Sequence, residues 1–499
     1  MPFVFFRHLI LALSLLVTSN TWASNHSHEP SVIIIGSGVS GLSAAHELQS
    51  AGIAVTVLSQ DKTIGNPEYN FDDQFINASI SPLEANAFHN QIHGYLALFG
   101  SQIDPTKAQQ PTTVAMPTDP LQGNYYLNSK LVGFHDLANI FAQQITPDYQ
   151  KFWQAFEKLN SSSIAKLEKN IKQQHLTDQP YSLRYEHSLN TPVTAQTWLS
   201  RLELHPAAYL LAQHHIEALY GKIENLSALS LAKMQKAHNH TQDRQAQIFR
   251  IVGGDTLLAN TLAQQLDNPI LLNQTINEIH HNRDGVKVST QNKSYLAQQI
   301  LLTTALPKLA KLDFSPALSN KILSSAQRLN YGAYNKIVLE YQPDVLNAGN
   351  THALKLPMGW QQQTPSDEQA QLSFISYSSG NLIEGQVYDT QAHLIAIKRA
   401  QLEAQYPQSA QFFIQAHVEA WHREPWPGGD YIAYSRDELK LYWSQFNHGP
   451  SNVYFASSQF NNSQPGSQEG ALNAGKQAAL KILEASLIKN TSKQLAIGF

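Results

Sequence analysis

A chain of 499 residues is long for one compact domain and points to two or three modules, and its 42% hydrophobic content is ample for buried cores. A net charge of -4 gives no sign of a nucleic-acid partner. The complete absence of Cys excludes disulfides, thiolate metal sites, a Cys nucleophile and any prosthetic group attached through Cys.

In chain order, residues 1–23 read as a leader outside the fold. Arg7 and His8 precede the apolar run Leu9 to Val17, and Thr21-Trp22-Ala23 offers small residues at a cleavage site. This is the pattern of a secretory signal peptide, and the run is too short to span a bilayer. The mature chain is expected to begin near Ser24, with no transmembrane span, in the periplasm or secreted; an uncleaved anchor is the alternative. Export without Cys suits a bacterial periplasm, where unpaired thiols meet an oxidising environment.

Val32-Ile33-Ile34-Ile35 then runs into Gly36-Ser37-Gly38-Val39-Ser40-Gly41 and a helix opening at Leu42. In a strand–turn–helix of this kind the first glycine allows the tight turn, and the second lets backbone approach a pyrophosphate. The third permits close helix–strand packing, while the helix N-terminus offers unpaired N–H groups to the anion. The alternative is an α/β turn that binds nothing. Ile53 to Leu58 reads as the second parallel strand. Residues 66–123 are loop-rich, with one helix expected around Pro82 to Phe99, and residues 134–235 carry amphipathic patterns that predict a helical insertion closed by the polar stretch His238 to Gln247.

The nucleotide-domain pattern resumes at Phe249 to Gly254, with a helix expected over Thr256 to Leu266 and a strand at Ile270 to Leu272. Strands at 276–279 and 286–289 flank Asn282-Arg283-Asp284-Gly285, whose Asp-Gly is a hairpin signal. Ile300 to Thr304 returns to a buried strand, and the alternating strands of residues 331–434 suit an antiparallel sheet in a second domain. Finally Val453 to Ala456 leads into Glu469-Gly470-Ala471 and a second helix opening. His238-Asn239-His240 and His280-His281 lack metal-ligand spacing and are expected in solvated loops, so no metal site is expected.

The fold class is therefore α/β. A Rossmann-like dinucleotide-binding domain is split across the chain as residues 31–100, 248–310 and 441–485, and a second domain, which the resemblance described below implies to be the substrate domain, takes residues 101–247 (with the helical insertion) and 311–440 (with the sheet).

In this order the chain resembles the flavin-dependent amine oxidase family of monoamine, polyamine and L-amino-acid oxidases. The resemblance rests on Val32–Leu58, Phe249–Leu302, Leu312–Val338, and Trp421–Tyr431 continuing into Val453–Ala479. It implies bound FAD, held non-covalently because Asp430 stands where some monoamine oxidases carry the attaching Cys. Gly36, Gly38 and Gly41, with Val39 and Ser40 between them, match the phosphate turn, and Ile276 matches the backbone contact to adenine. Gln459 falls where the family has a Glu near the ribityl or phosphate region, while Trp426, Glu469, Gly470 and Ala471 complete the implied cofactor contacts. Ser59 replaces the acid that grips the adenosine ribose, with Asp61 nearby but out of register, and Gly65-Asn66-Pro67 lacks the family's arginine.

For chemistry, the resemblance implies that Lys336 holds a water beside flavin N5 and that Tyr431 flanks the substrate amine; the opposing aromatic of that cage is here Ser467. Trp421 and Trp426 are alternatively core or rim aromatics, and Lys336 an exposed strand lysine sharing a face with Val338 and Glu340. The implied reaction is oxidation of a C–N bond in a small-molecule amine or amino acid, with molecular oxygen as acceptor and hydrogen peroxide as product. The alternative, motivated by Ser59, Gln459, Pro67 and Ser467, is a catalytically degenerate flavin-fold protein acting as a binding or scaffold module.

Overall fold

The computed structural model describes residues 32–65, 83–85, 90–98, 124–127, 130–133, 147–159, 194–241, 249–251, 254–328, 334–342, 360–363, 372–379, 391–405, 407–420, 446, 449–450, 452–460 and 466–497. The leader lies outside these residues, as do Trp421, Trp426, Asp430 and Tyr431.

At the centre is a parallel sheet of order Val453–Phe455, Gln299–Leu302, Val32–Ile35, Val55–Leu58. Its register pairs Ile33 with Ile300 and Thr56, and Leu301 with Tyr454, so strands from both ends of the chain lie side by side. A strand covered on both faces should be apolar at consecutive positions rather than alternate ones. Val32 through Ile35 fit that condition, all at 5% exposure or less. One face, carrying Val32, Ile34, Val57 and Leu301, packs on Ala44, Ala45, Leu48, Ala474, Ala478 and Ile482 from two helices. The other, carrying Ile33, Ile35, Leu58, Ile300 and Leu302, packs on Ile279, Val286, Val288 and Phe314 of a second, smaller sheet. Layers therefore run helix, parallel sheet, mixed sheet.

The two helices, Val39–Ser50 and Gln468–Ile497, meet at Gly475. A Cβ there would lie 2.1 Å from the carbonyl oxygen of Ser40, inside any tolerable contact, so only glycine allows the backbones this close. Ser43 reinforces the crossing by donating to the carbonyl of Leu472 at 3.0 Å.

A third helix, Asn90–Leu98, is fixed to the same pair. Tyr95 is within 2.8 Å of the Ser43 hydroxyl and donates to Glu47 at 3.0 Å. The expected helix from Pro82 is shorter, because Leu83–Ala85 instead pairs as a strand, antiparallel to Phe249–Ile251. Glu469 takes the backbone N–H groups of Gln91 and Ile92 at 2.7 and 2.9 Å. It therefore caps this helix across more than 370 residues of sequence, satisfying donors that every helix start leaves unpaired. The resemblance implies a cofactor contact for Glu469; in the structure each of its carboxylate oxygens accepts an N–H of this helix.

The loop Asn282-Arg283-Asp284-Gly285 does turn a hairpin, between Ile276–His281 and Val286–Thr290. The Asn282 side chain organises it, accepting from the N–H groups of Asp284 and Gly285 at 2.8 and 3.0 Å. Gly285 is required because a Cβ would meet the Ala297 carbonyl at 2.5 Å, not for a positive φ. His281 is no loop residue: it ends a strand, is buried at 8% exposure, and its Nε2 lies 2.8 Å from the Pro316 carbonyl. Residues 238–240 likewise fall not in a loop but in a helix, Ala228–Thr241.

Between residues 147 and 241 the described elements are helices, apart from a single bridge between Thr194 and Ser227. Their core is aromatic, with Tyr149, Phe152, Phe156 and Tyr220 fully buried. Beyond residue 334 an antiparallel sheet runs Trp360–Gln363, Leu372–Ser379, Tyr334–Tyr341, Phe413–Ala420. The sequence reading missed the helix Gln391–Gln405, which lays Leu394 and Leu402 on Ile337, Leu339, Tyr341, Phe374 and Val418. No helix among the described residues is long and apolar enough to cross a membrane.

Glu469 gives this architecture a test. Removing a helix cap costs about 0.5–2 kcal/mol, so Glu469→Ala should lower the urea midpoint without changing the fold. Burial pushes the Glu469 carboxyl above the ordinary carboxylate range, against the opposing pull of the Gln91 and Ile92 N–H groups. A folded-state pKa above the unfolded one means that the native state holds the proton more tightly. The associated stability is present below the unfolded pKa and is lost as pH rises through the folded one. Glu469→Gln cannot titrate, so wild type should lose stability relative to this variant across that rise; parallel pH profiles would refute the assignment.

Candidate functional site

Ligands in open α/β sheets bind outside the carboxyl ends of the strands, and in this sheet those ends carry an unusual set of groups. Gly36 follows the first strand with φ of 118°, a conformation glycine adopts without strain. Its N–H donates to Leu58 at 2.8 Å, tying the turn to the second strand. A Cβ on Gly36 would lie 2.3 Å from Thr303 Oγ1, and one on Gly41 would lie 2.3 Å from the Gly36 carbonyl oxygen. Gly38 is the contrast. It is the N-cap of the Val39–Ser50 helix, no side chain caps that end, and an added Cβ would face open space. Two glycines are thus demanded by packing, and the one between them is exposed and faces open space at an uncapped helix N-terminus. This is the arrangement that accepts a phosphate.

Buried polar atoms around the strand ends support the same reading. Among the described residues, the side-chain atoms buried without a hydrogen-bond partner include Ser40 Oγ, Thr304 Oγ1, Gln459 Oε1 and Gln468 Oε1, alongside others away from this sheet such as Trp153 Nε1 and Ser376 Oγ. Ser40 stands in the first turn after the first strand, Thr304 two residues beyond Gln299–Leu302, and Gln459 in a short 3-10 turn after Val453–Phe455. Each such atom left unsatisfied costs about 1–3 kcal/mol, and protein cores avoid them. Their recurrence along the ends of adjacent parallel strands fits a polar ligand such as FAD lying across those ends.

Ser59 is 2% exposed and directly follows the second strand. It accepts from the Ser37 hydroxyl at 2.9 Å and donates to Asp61 Oδ2 at 3.1 Å. Its backbone bonds Leu271 and Gln274, drawing the 271–276 segment alongside and placing Ile276 at the start of the next strand. Val39 is half-buried at the first position of the helix.

Other expected residues sit differently. The N–H of Gly470 donates to the Ser467 hydroxyl at 3.0 Å and that of Ala471 to the Ser467 carbonyl at 2.9 Å. Ser467 is therefore the cap of the C-terminal helix, and these two N–H groups are committed within that helix rather than offered to a cofactor. Lys336 lies in the Tyr334–Tyr341 strand, in register with Tyr377 on one side and Glu419 on the other. Val338 and Glu340, further along that strand, are buried at 1% and 3% exposure. Gln415 donates to Glu340 at 2.6 Å, and the His417 ring lies 3.9 Å from the same carboxylate.

Sequence reasoning missed Ser37, Thr303, Thr304 and Gln468. The signal for the threonines was present, since Thr303-Thr304 follows a continuous apolar run as Gly36 does. Ser37 and Gln468 carry no signal of their own, because only the meeting of distant segments gives them a role.

Comparison with known proteins agrees with this geometry. The profile of a family described as flavin containing amine oxidoreductase matches residues 89–483, and that of an FAD binding domain matches residues 31–69. L-amino-acid oxidase of Mus musculus is 26% identical over 341 residues, covering 64% of this chain. That match spans about half of the mouse protein, 49% of its length. Flavin-containing amine oxidase A of Sus scrofa is 22% identical over 494 residues, covering 93% of this chain and 86% of the pig protein. Cyclohexylamine oxidase of Brevibacterium oxydans IH-35A shares the fold, with a TM-score of 0.70 at 19% identity over 92% of this chain and 100% of that one. With a profile match over most of its length and an FAD-binding match at its first strand, this chain belongs to the flavin-containing amine oxidoreductase family, whose cofactor is FAD.

Proposed function

We propose that this protein is an exported oxidase that uses non-covalent FAD to oxidise the C–N bond of a small-molecule amine or amino acid. The observation that carries the reading is the uncapped, open helix N-terminus at Gly38 beside unpartnered buried polar atoms at the strand ends, in a chain of this family. When bound, FAD supplies hydride acceptance from the carbon next to nitrogen and return of the electrons to oxygen, yielding an imine and hydrogen peroxide. The protein's own work is to bind, orient and exclude water. The N–H groups of the first turn after Gly38 receive the pyrophosphate, and the Ser40 hydroxyl stands ready as an additional donor. Gln459 offers an amide where the family's acid would bring a charge, so its contact is neutral and weaker. In this reading Lys336 holds a water next to the reacting face, Tyr431 orients the neutral amine with its ring, and Trp426 lies along the cofactor. The helices of residues 147–241 act as an insertion that shapes access for the substrate. Export rests on the leader pattern of residues 1–23.

The scaffold alternative is favoured by one specific observation, the replacement of charged family contacts by Ser59 and Gln459. An absorption spectrum separates the readings. The purified protein should be yellow, and acid precipitation should leave the flavin in the supernatant, because the chain has no Cys and Asp430 stands where some monoamine oxidases carry the attaching Cys. Colour in the pellet refutes non-covalent binding, and a colourless protein that takes up no added FAD supports the scaffold. N-terminal sequencing of protein recovered from the exported fraction should begin near Ser24; an intact Met1 there refutes a cleaved leader.

Lys336→Met keeps the aliphatic stem and removes the ammonium. It should retain FAD and thermal stability while slowing flavin reoxidation. Proton transfer assisted by one positioned group is typically worth about 10²–10⁴-fold in rate. Stopped-flow mixing of dithionite-reduced protein with air-saturated buffer reads this step without knowledge of the substrate. Superimposable traces for wild type and variant would remove Lys336 from the reaction.

A further inference from the structure

The sheet that carries Lys336 also holds a buried carboxylate to which the proposed reaction gives no part. Strand residues two apart share a face, and the register of Tyr334–Tyr341 with both neighbouring strands is unbroken from Asn335 to Glu340. Lys336, Val338 and Glu340 therefore stand on one face. The opposite face, carrying Ile337, Leu339 and Tyr341, is the one that Leu394 and Leu402 of the Gln391–Gln405 helix cover. On the edge strand Phe413–Ala420, His417 is opposite Val338 and Gln415 is opposite Glu340.

Glu340 is only 3% exposed, while Gln415 and His417 beside it are half-buried. Its two contacts fall on one oxygen. Gln415 Nε2 donates to Oε2 at 2.6 Å, and His417 Nε2 lies 3.9 Å from that same atom, beyond hydrogen-bond distance. Oε1 takes neither contact, and among the described residues no Lys or Arg pairs with this carboxylate. A buried carboxylate is costly unless a cation and further hydrogen bonds complete its pairing. A single amide donor leaves that pairing half made. Between this anion and Lys336 stands Val338, at 1% exposure. The face thus reads as reacting end, apolar spacer and anion, its ends about 13 Å apart along the strand.

We propose that Glu340, oriented by Gln415, binds the distal ammonium of a dicationic amine whose other nitrogen is the one oxidised at the flavin. The methylene chain runs past Val338, and the far ammonium donates to Oε1. An ammonium is both a cation and a multiple donor, so it supplies the charge and the hydrogen bond that the carboxylate lacks. A long diamine is thereby selected over a monoamine of equal length, and a short diamine cannot span the separation. The assignment rests on the oxidase reading and on its placing of Lys336 beside the reacting face.

The test uses the full-length, flavin-loaded chain with octylamine, octamethylenediamine and tetramethylenediamine. Anaerobic bleaching of the flavin reports reduction, and peroxide formation gives kcat and KM. Octamethylenediamine should exceed octylamine in kcat/KM by about tenfold or more, the worth of one charge-assisted hydrogen bond. Tetramethylenediamine should lose that advantage. Glu340→Gln keeps an acceptor for Gln415 and removes the charge. It should retain FAD and bring the long diamine towards parity with octylamine, chiefly through a higher KM for the diamine. A Glu340→Gln variant that keeps the wild-type preference overturns the proposal. Even if that variant misfolds, a wild type with equal kcat/KM for octylamine and octamethylenediamine overturns it alone. Flavin that no amine reduces defeats the proposed function, whereas reduction by monoamine and diamine alike defeats only this assignment.

Discussion

Everything at the site depends on a parallel sheet closed by strands from opposite ends of the chain. Val32–Ile35 is buried between Gln299–Leu302 and Val55–Leu58, and Val453–Phe455 completes the order. Burying such strands on both faces is favourable at about 25 cal/mol per Å² of apolar area, but it requires a cover for each face. The Val39–Ser50 and Gln468–Ile497 helices supply one, and they can do so only by crossing at Gly475 against the Ser40 carbonyl. That crossing sets Gly475 against Ser40 in the first turn of the glycine-rich helix, so a packing constraint and the candidate site share the same few residues.

The polar architecture follows from the apolar one. Backbone groups in the middle of a parallel sheet are paired with one another, whereas the polar side chains gathered beyond its carboxyl end need partners of their own. Some find them within the protein: Ser37 with Ser59, Ser59 with Asp61, Thr303 with the Ile35 carbonyl. Others, on Ser40, Thr304 and Gln459, do not. A ligand that is long, polar and anionic in its middle is the kind of molecule whose contacts would run along such a line. Glu469 illustrates the opposite outcome. It stands beside this line in sequence, yet its charge is consumed in fixing the Asn90–Leu98 helix.

Several altered family positions thereby acquire a physical explanation. Ser467 is the N-cap of a long helix, so its hydroxyl serves helix initiation, which an aromatic side chain there would not supply. Ser59 is a buried hydroxyl linking the phosphate turn to Asp61, so the charge sits on a half-buried residue two positions further on rather than inside the core. Buried charges are costly unless fully paired. A half-buried acid held by a hydroxyl relay avoids that cost.

By itself the sequence determined the parallel strands, the phosphate turn, the hairpin around Asn282 and the antiparallel strands after Tyr334. These features depend on local periodicity and on residues whose backbone preferences act within a few positions. It was also sufficient to locate Gly36, Gly38 and Gly41 in a turn of the right kind. Only the tertiary structure decided that Gly36 and Gly41 answer to packing while Gly38 opens outward, that Glu469 caps a distant helix, and that His281 is buried. The same holds for the chain from Ser37 through Ser59 to Asp61. The physical reason is the same throughout. A hydrogen bond or a close approach between segments separated by tens to hundreds of residues leaves no periodic trace in either segment, so it becomes visible only where the fold brings them together.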